Sequence, residues 1–177
     1  MKLNFGCSNK IFSDYINVDI KKPADKVFDF NVFPYPFKDN TFDFVLAIDI
    51  LEHLEKPEEV MRELHRICKN NAIIRIKVPY YNSHSAYNGI EHIHFFNETT
   101  IYSILFPYSY YTFYDKGIKY GLLDTLPKFS IIKLEFVSTK LGKLIYPKKV
   151  RKIMSYVLGE IFSDIEVDVN VNKKRTL

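Results

Sequence analysis

The residue types that can do chemistry gather in a few short stretches. In LNFGCSNK (residues 3–10) an apolar, strand-like start runs into Gly6 and Cys7, and in YINVDI (15–20) a second apolar stretch closes on Asp19. A glycine after one strand and a carboxylate at the end of the next is how a nucleotide-type cofactor site begins in many α/β proteins. A dinucleotide fingerprint needs three glycines and an acidic residue about 20 positions on. Here one glycine stands, Asp19 follows it by 13 residues, and an NAD site is excluded. Further on, FDFVLAIDILEH (42–53) carries Asp49 and His53 at the end of an apolar run. GIEHIHFFNE (89–98) brings Glu91, His92 and His94 together, with His84 upstream, and zinc accepts such neutral imidazoles. One His-x-His without further ligands at fixed spacing is a weak metal signal. No metal is therefore assigned, and His92 and His94 are read as substrate contacts or local structural residues.

These residues need elements to position them. Residues 2–5, 15–20 and 25–30 (DKVFDF) read as strands, and FPYPFKDNT as a loop of prolines and turn formers. FDFVLAID (42–49) is the clearest buried strand of the first half. EKPEEVMRELHRICKNN is the best helix, with Val60, Met61, Leu64, Ile67 and Cys68 on one stripe. Pro57 suits its first position, Glu58 and Glu59 its positive end and Lys69 its negative end. Asn70 or Asn71 can take the left-handed conformation that stops a helix. A strand over 72–81 completes a strand–helix–strand crossover, the mark of a parallel sheet. Asn97 and Glu98 can cap a helix in NETTIYSILF, and 129–137 and 164–171 read as strands. In the last, Ile165, Val167, Val169 and Val171 alternate with Glu166, Asp168 and Asn170, which predicts a strand at a sheet edge. Between them Pro147 opens a helix whose stripe is Val150, Ile153, Met154, Val157, Leu158 and Ile161. Lys148, Lys149, Arg151 and Lys152 crowd its first turns and are expected to face solvent near the carboxyl end of the sheet.

The 177 residues suffice for one domain with a full core. Aromatics are abundant, with 15 Phe, 13 Tyr and no Trp. No apolar run approaches the ~18 residues of a membrane span, and Lys2 has no apolar signal region behind it. Cys7 and Cys68 give no disulfide framework and point to reduced thiols and a cytoplasmic location. Residues 140–177 hold nine Lys/Arg against four Asp/Glu, while the net charge of the whole chain is +4. That basic end can hold an anionic surface weakly, or simply be a solvated face. The aromatic run FPYSYYTFY (106–114) suits a planar-ligand platform, a lid or a homodimer surface.

Taken in order, LNFGCSN, INVDI, FDFNVFPYPFKDNTFDFVLAIDILEHLEKPEEVMRELHRICKNNAIIRIKVPYY and, more weakly, EHIHFFNETT resemble a class I S-adenosylmethionine-dependent methyltransferase. Members commonly read leucine-x-x-Gly-Cys-Gly at the first strand and an acidic residue closing the second. A D…PF…FD loop, an LEH and an REiyRvLKpGG segment follow. This chain matches at Gly6-Cys7, Asp19, Asp29, Pro36-Phe37, Phe42-Asp43, Leu51-Glu52-His53, and Arg62-Glu63 through Lys69. The nearest subgroup comprises short proteins without the first crossover helix. Ser8 replaces a usual second glycine, Asn70-Asn71 replaces Pro-Gly-Gly, and the interval from Phe5 to Ile16 is too short for a helical crossover.

The resemblance implies a Rossmann-like α/β methyltransferase fold trimmed at the N-terminus, a largely parallel twisted sheet with an antiparallel terminal strand pair. It implies one domain over 1–177: a cofactor-binding half (1–81), an aromatic-rich lid or substrate region (82–128), and terminal strands with a basic helix (129–177). It implies S-adenosyl-L-methionine as cofactor, approached by the backbone of Phe5, Gly6 and Cys7. Asp19 would take the ribose hydroxyls, Asp29 and Phe30 the adenine, and Ala47, Ile48 and Asp49 the sulfonium side. His53 is the candidate base for an oxygen or nitrogen acceptor. The acceptor is not fixed by the resemblance, and small metabolite, glycan, lipid and protein all stay open. Nucleic acid is disfavoured because the basic residues are not interleaved with the aromatic run. The alternative is a non-catalytic module of the same fold that binds a partner through its basic end and aromatic patch.

Overall fold

The first three strands of the computed structural model, β1 (Lys2–Phe5), β2 (Tyr15–Asp19) and the two-residue β3 (Lys26–Val27), follow one another without a helix. After them come β4 (Phe42–Ile48), a 3-10 turn at Leu51–His53, α1 (Pro57–Ile67) and β5 (Cys68–Pro79). A second 3-10 turn at His84–Tyr87 leads to α2 (Glu98–Leu105), β6 (Lys128–Ser138), α3 (Lys140–Leu144), α4 (Lys148–Ser155) and β7 (Phe162–Asn172). The structure describes residues 1–106, 127–144, 148–156 and 158–173.

All seven strands form one sheet in the order β3-β2-β1-β4-β5-β7-β6. The first five run parallel, and β7 runs antiparallel to both of its neighbours. The expected largely parallel sheet with an antiparallel terminal pair is therefore observed. Register is what builds the site. Phe5 stands opposite Val18 of β2 and Ala47 of β4, and Asp19 stands opposite Val27 of β3. Gly6, Asp19 and Ile48 consequently finish their strands at one level, along the carboxyl edge where open α/β sheets bind ligands.

One face of the sheet is the core. Leu3, Phe5, Val45, Ile74, Ile76, Val167 and Val169 are buried there with Val60, Met61, Leu64 and Ile67 of α1 and Ile101 and Leu105 of α2. The predicted stripe of α1 is thus the packed one, with Pro57 in its first turn, and Asn97 caps α2 through a reciprocal pair of bonds with Thr100. The opposite face is polar and part-exposed. Arg75 grips Asp168 through two bonds of 2.7 and 2.8 Å, and Lys77 lies 3.5 Å from Asp164. No helix of the described residues is long and apolar enough to cross a membrane.

Several expectations are corrected. DKVFDF is a strand only at Lys26–Val27, because Phe28 and Phe30 turn into an aromatic cluster with Tyr35 instead of extending along the sheet. Asn71 is left-handed (φ 64°) but does not stop the helix. The helix ends at Ile67 as Cys68 becomes extended, and Asn71 serves the bulge where β5 jumps register against β4. β7 is not an edge strand. It lies between β5 and β6, and its alternation reports one core face and one polar face.

The basic helix also differs from expectation. Only Lys148–Ser155 is helical, and Val150, Ile153 and Leu158 of its proposed stripe are exposed while Ile161 is buried. Pro147, Val157 and the side chain of Lys148 lie outside the described residues, as do 107–114 of the aromatic run. Of the basic cluster, Lys149 is exposed, but Arg151 donates to Ser138 and Lys152 pairs with Glu98 over the Phe136 ring. Aliphatic stems that pack on an aromatic strand draw two of these cations inward.

The loop between β3 and β4 is held by one arginine. Arg66 donates to Glu63, to Asp39 at 2.7 Å, and to the carbonyls of Phe37 and Tyr35 at 2.9 and 3.0 Å. Glu63 in turn accepts from the Tyr35 amide at 2.8 Å. Arg66→Ala would strip several charge-assisted bonds and leave two loop carbonyls without their donor, a loss of about 2 kcal/mol. Urea unfolding measures it, and a change below about 0.5 kcal/mol would show that the loop does not depend on this residue.

Candidate functional site

The site begins where β1 stops. Gly6 takes a left-handed turn (φ 73°), and the amides of Gly6 and Cys7 both donate to the Val18 carbonyl at 3.0 and 2.9 Å. The chain thereby folds over the end of β2. Asp19 fixes the next step, since its two oxygens accept from the Ser8 amide at 2.7 Å and the Ile20 amide at 2.9 Å. Ser8 is itself left-handed (φ 46°) and exposed. The turn thus keeps the backbone shape of a glycine while carrying an exposed side chain. A β-carbon there costs roughly 1 kcal/mol.

Nothing helical spans residues 6–14, and a buried polar ladder does the work of the missing crossover. Asn4 donates to the Lys10 carbonyl at 2.7 Å and to Asn17 at 3.0 Å. Asn17 donates to the Phe12 carbonyl, and its backbone amide (2.8 Å) and side chain (2.9 Å) both donate to Asp25, the amide first holding that carboxyl below its usual range. The loop so pinned encloses, with β4, a cavity of about 450 Å³ lined by Asn4, Gly6, Cys7, Ser8, Lys10, Phe12, Leu46, Ile48 and Asp49. Burial and the nearby Asp19 raise the Cys7 thiol, so it lines the cavity as an uncharged group. Asp49 closes β4 in a left-handed conformation (φ 51°), its amide donating to Lys77 at 2.9 Å.

A second cluster lies just beyond Asp49. Glu52 is 1 % exposed, and neither carboxylate oxygen has a hydrogen-bond partner among the described residues. Burial pushes its carboxyl up to about 7, against some lowering by its own amide. The His53 and His92 rings meet edge-on, 4.7 Å apart between centroids. One ligand atom from each of Glu52, His53 and His92 lies within 4.8 Å of the others. His94 turns elsewhere, its Nε2 3.4 Å from the Glu55 carbonyl, and His84 is exposed.

The profile of a methyltransferase domain matches residues 7–76. A solved S-adenosylmethionine-dependent methyltransferase of Archaeoglobus fulgidus superposes with a TM-score of 0.62 at 18% identity, covering 96% of this chain and 85% of that one. The chain has a class I methyltransferase fold. A methyltransferase of Methanosarcina mazei gives 0.60 at 12% identity, covering 98% of this chain and 92% of its own. An uncharacterized protein of Methanocaldococcus jannaschii is 44% identical over 48 residues, 27% of this chain and 21% of that protein. The matched segment thus spans about a fifth of that curated relative's length.

On this methyltransferase fold the residues singled out from sequence separate into groups. Gly6, Cys7, Ile48 and Asp49 line the cavity, and Asp19 stands directly behind the loop. Phe5 and Ala47 are buried, one residue back along their strands. Asp29 is exposed, with one oxygen taken by the Asn31 amide at 2.9 Å. The Phe30 ring is 1 % exposed and packs on Phe5 at 4.2 Å, so it serves the core and has no free face for a base. Sequence reasoning did not select Asn4, Ser8, Lys10, Phe12 or Leu46. Asn4 and Leu46 were open to inference, because they alternate with the core residues of β1 and β4 and so face the other side. The cavity has the size of a small-molecule site, and its glycine turn, buried carboxylate and strand-end aspartate fit S-adenosylmethionine.

Proposed function

We propose that the carboxyl edge of β1, β2 and β4 binds S-adenosylmethionine and that the protein transfers its methyl group to an acceptor presented beyond Asp49. The observation that carries this reading is the cavity where Gly6, Cys7, Ile48 and Asp49 converge beside Asp19. When bound, the cofactor supplies a sulfonium carbon open to in-line attack by an acceptor lone pair, the S–C bond breaking toward sulfur. The chain's residues bind and orient. Each Asp19 oxygen spends one lone-pair direction on a backbone amide and retains another for a ribose hydroxyl. Lys10 lines the cavity and offers a cation for the amino-acid carboxylate, the task a crossover-helix N-terminus would otherwise perform. Among the described residues nothing favours the non-catalytic alternative, since Arg151 and Lys152 of its basic end are engaged within the chain.

The test is calorimetry with S-adenosylhomocysteine. Binding is expected, and Asp19→Asn should weaken it about tenfold or more while circular dichroism stays unchanged, because a charge-assisted bond is lost. No heat at millimolar ligand with folded protein would refute cofactor binding. Equal affinity in the variant would refute the ribose assignment.

A further inference from the structure

The cofactor reading leaves Glu52 unused, yet its placement is costly. A carboxylate that is 1 % exposed and unpartnered among the described residues gains nothing from its position in the empty fold. Asp49 and Asp164 oppose its charge, and the cation that favours it, Lys77, already lies 3.5 Å from Asp164.

What surrounds it is a set of prepared lone pairs. His53 Nδ1 is 3.3 Å from the Glu91 carbonyl, and His92 Nδ1 is 3.0 Å from the Ala86 carbonyl. A carbonyl can only accept, so each Nδ1 carries the proton and each Nε2 keeps its lone pair. A backbone carbonyl behind the ring is how ligating histidines are oriented around metal ions. The main chain also holds the two halves together. The Glu52 carbonyl accepts from the amides of Ile93 and His94 at 2.9 and 3.2 Å, tying the 3-10 turn to the segment that carries His92.

We propose that Glu52, His53 and His92 form a binding site for a divalent transition-metal cation, zinc being the first candidate. Ligands about 2.1 Å from zinc stand roughly 3.4 Å apart, so atoms already within 4.8 Å need only small side-chain rotations to close on an ion. Two imidazoles and one carboxylate with a fourth position open is the composition of catalytic zinc sites. Magnesium and calcium prefer all-oxygen sets. A lone pair given to a cation cannot take a proton, so His53 acts here as a ligand and not as the general base expected from sequence. The trio also differs from the Glu91, His92, His94 and His84 set weighed there, sharing only His92.

The site can be tested without cofactor or acceptor. Full-length protein freed of metal by chelator dialysis is titrated with zinc chloride by calorimetry, and with cobalt(II) by visible absorption. One equivalent should bind, cobalt showing the strong d–d bands of a low-coordinate nitrogen and oxygen site. Glu52→Gln and His92→Ala should each weaken zinc binding about tenfold or more, whereas His94→Ala should stay within about twofold of the parent. Glu52→Gln preserves shape and keeps the test valid where His92→Ala does not fold. No zinc binding, several equivalents of equal affinity, preference for magnesium, or an equal loss in His94→Ala would each overturn the proposal.

Discussion

At pH 8, with chelator present, Glu52→Gln is expected to be more stable than the parent by about 2 kcal/mol, and near pH 4 the order should reverse, the variant being roughly 1 kcal/mol the less stable. The unfolded carboxyl titrates near 4.5, whereas burial in the folded chain raises it to about 7. A folded-state value above the unfolded one means that the native state resists ionisation. Native stability therefore falls as pH rises from about 4.5 to about 7, and the deficit is complete above that window. A displacement of this size corresponds to about 3 kcal/mol, from which burying an amide in the same place takes back roughly 1 kcal/mol. Urea midpoints of both proteins between pH 4 and 9 give the curve. A parent that gains stability over the variant between pH 5 and 7, or equals it at pH 8, would show that the carboxylate is solvated or paired. Positions that fold better when altered are where stability has been exchanged for a task.

Elements that announce themselves by period were legible in the sequence. β1, β2 and β4 emerge almost residue for residue, and α1 emerges with its stripe from Val60 to Ile67 though it ends before Cys68, because one strand face or helix stripe is buried and its spacing is written in apolar residues. The errors share a physical cause. Alternation at Ile165–Val171 reports which face is buried and carries no information on whether another strand lies beyond it. Phe28 and Phe30 alternate like a strand because they enter a shared aromatic cluster. The stripe of α4 has helical spacing, but the helix stops at Ser155, before Leu158 and Ile161.

The site was legible where backbone demands a residue type, as at Gly6 and Asp19, and much less so where side chains meet across the fold. Ser8 looked like a departure from the family pattern, yet it adopts the glycine-like turn because Asp19 accepts its amide. Glu52 and His53 are adjacent in sequence, but His92 reaches them through pairing between the Glu52 carbonyl and the amides of residues 93 and 94. No local spacing encodes that meeting. The single hint was Glu52 itself, a second carboxylate three residues after Asp49 at the strand exit.

Gly6→Ala is expected to cost about 3 kcal/mol, and Ile50→Ala should recover part of it. A β-carbon built on Gly6 would lie 2.6 Å from Ile50 Cγ1 and 2.9 Å from both its Cβ and Cδ1. Distances below 3.0 Å are not sustained, so Ile50 must move. As a β-branched residue partly packed on the core, it has few alternative rotamers. Overpacking of this kind costs roughly 1–3 kcal/mol, and the left-handed φ of 73° adds roughly 1 kcal/mol for any L side chain. The two terms separate in a double-mutant cycle. Removing Cγ1 and Cδ1 of Ile50 relieves the packing term only in part, since Cβ remains, and leaves the backbone term untouched. A favourable coupling of about 1 kcal/mol is therefore expected between the two substitutions. Zero coupling would place the whole cost in the backbone. A Gly6→Ala variant within about 0.5 kcal/mol of the parent would show that the turn yields freely, and then Gly6 would not be what holds Ser8 and Asp19 in place beside the cavity.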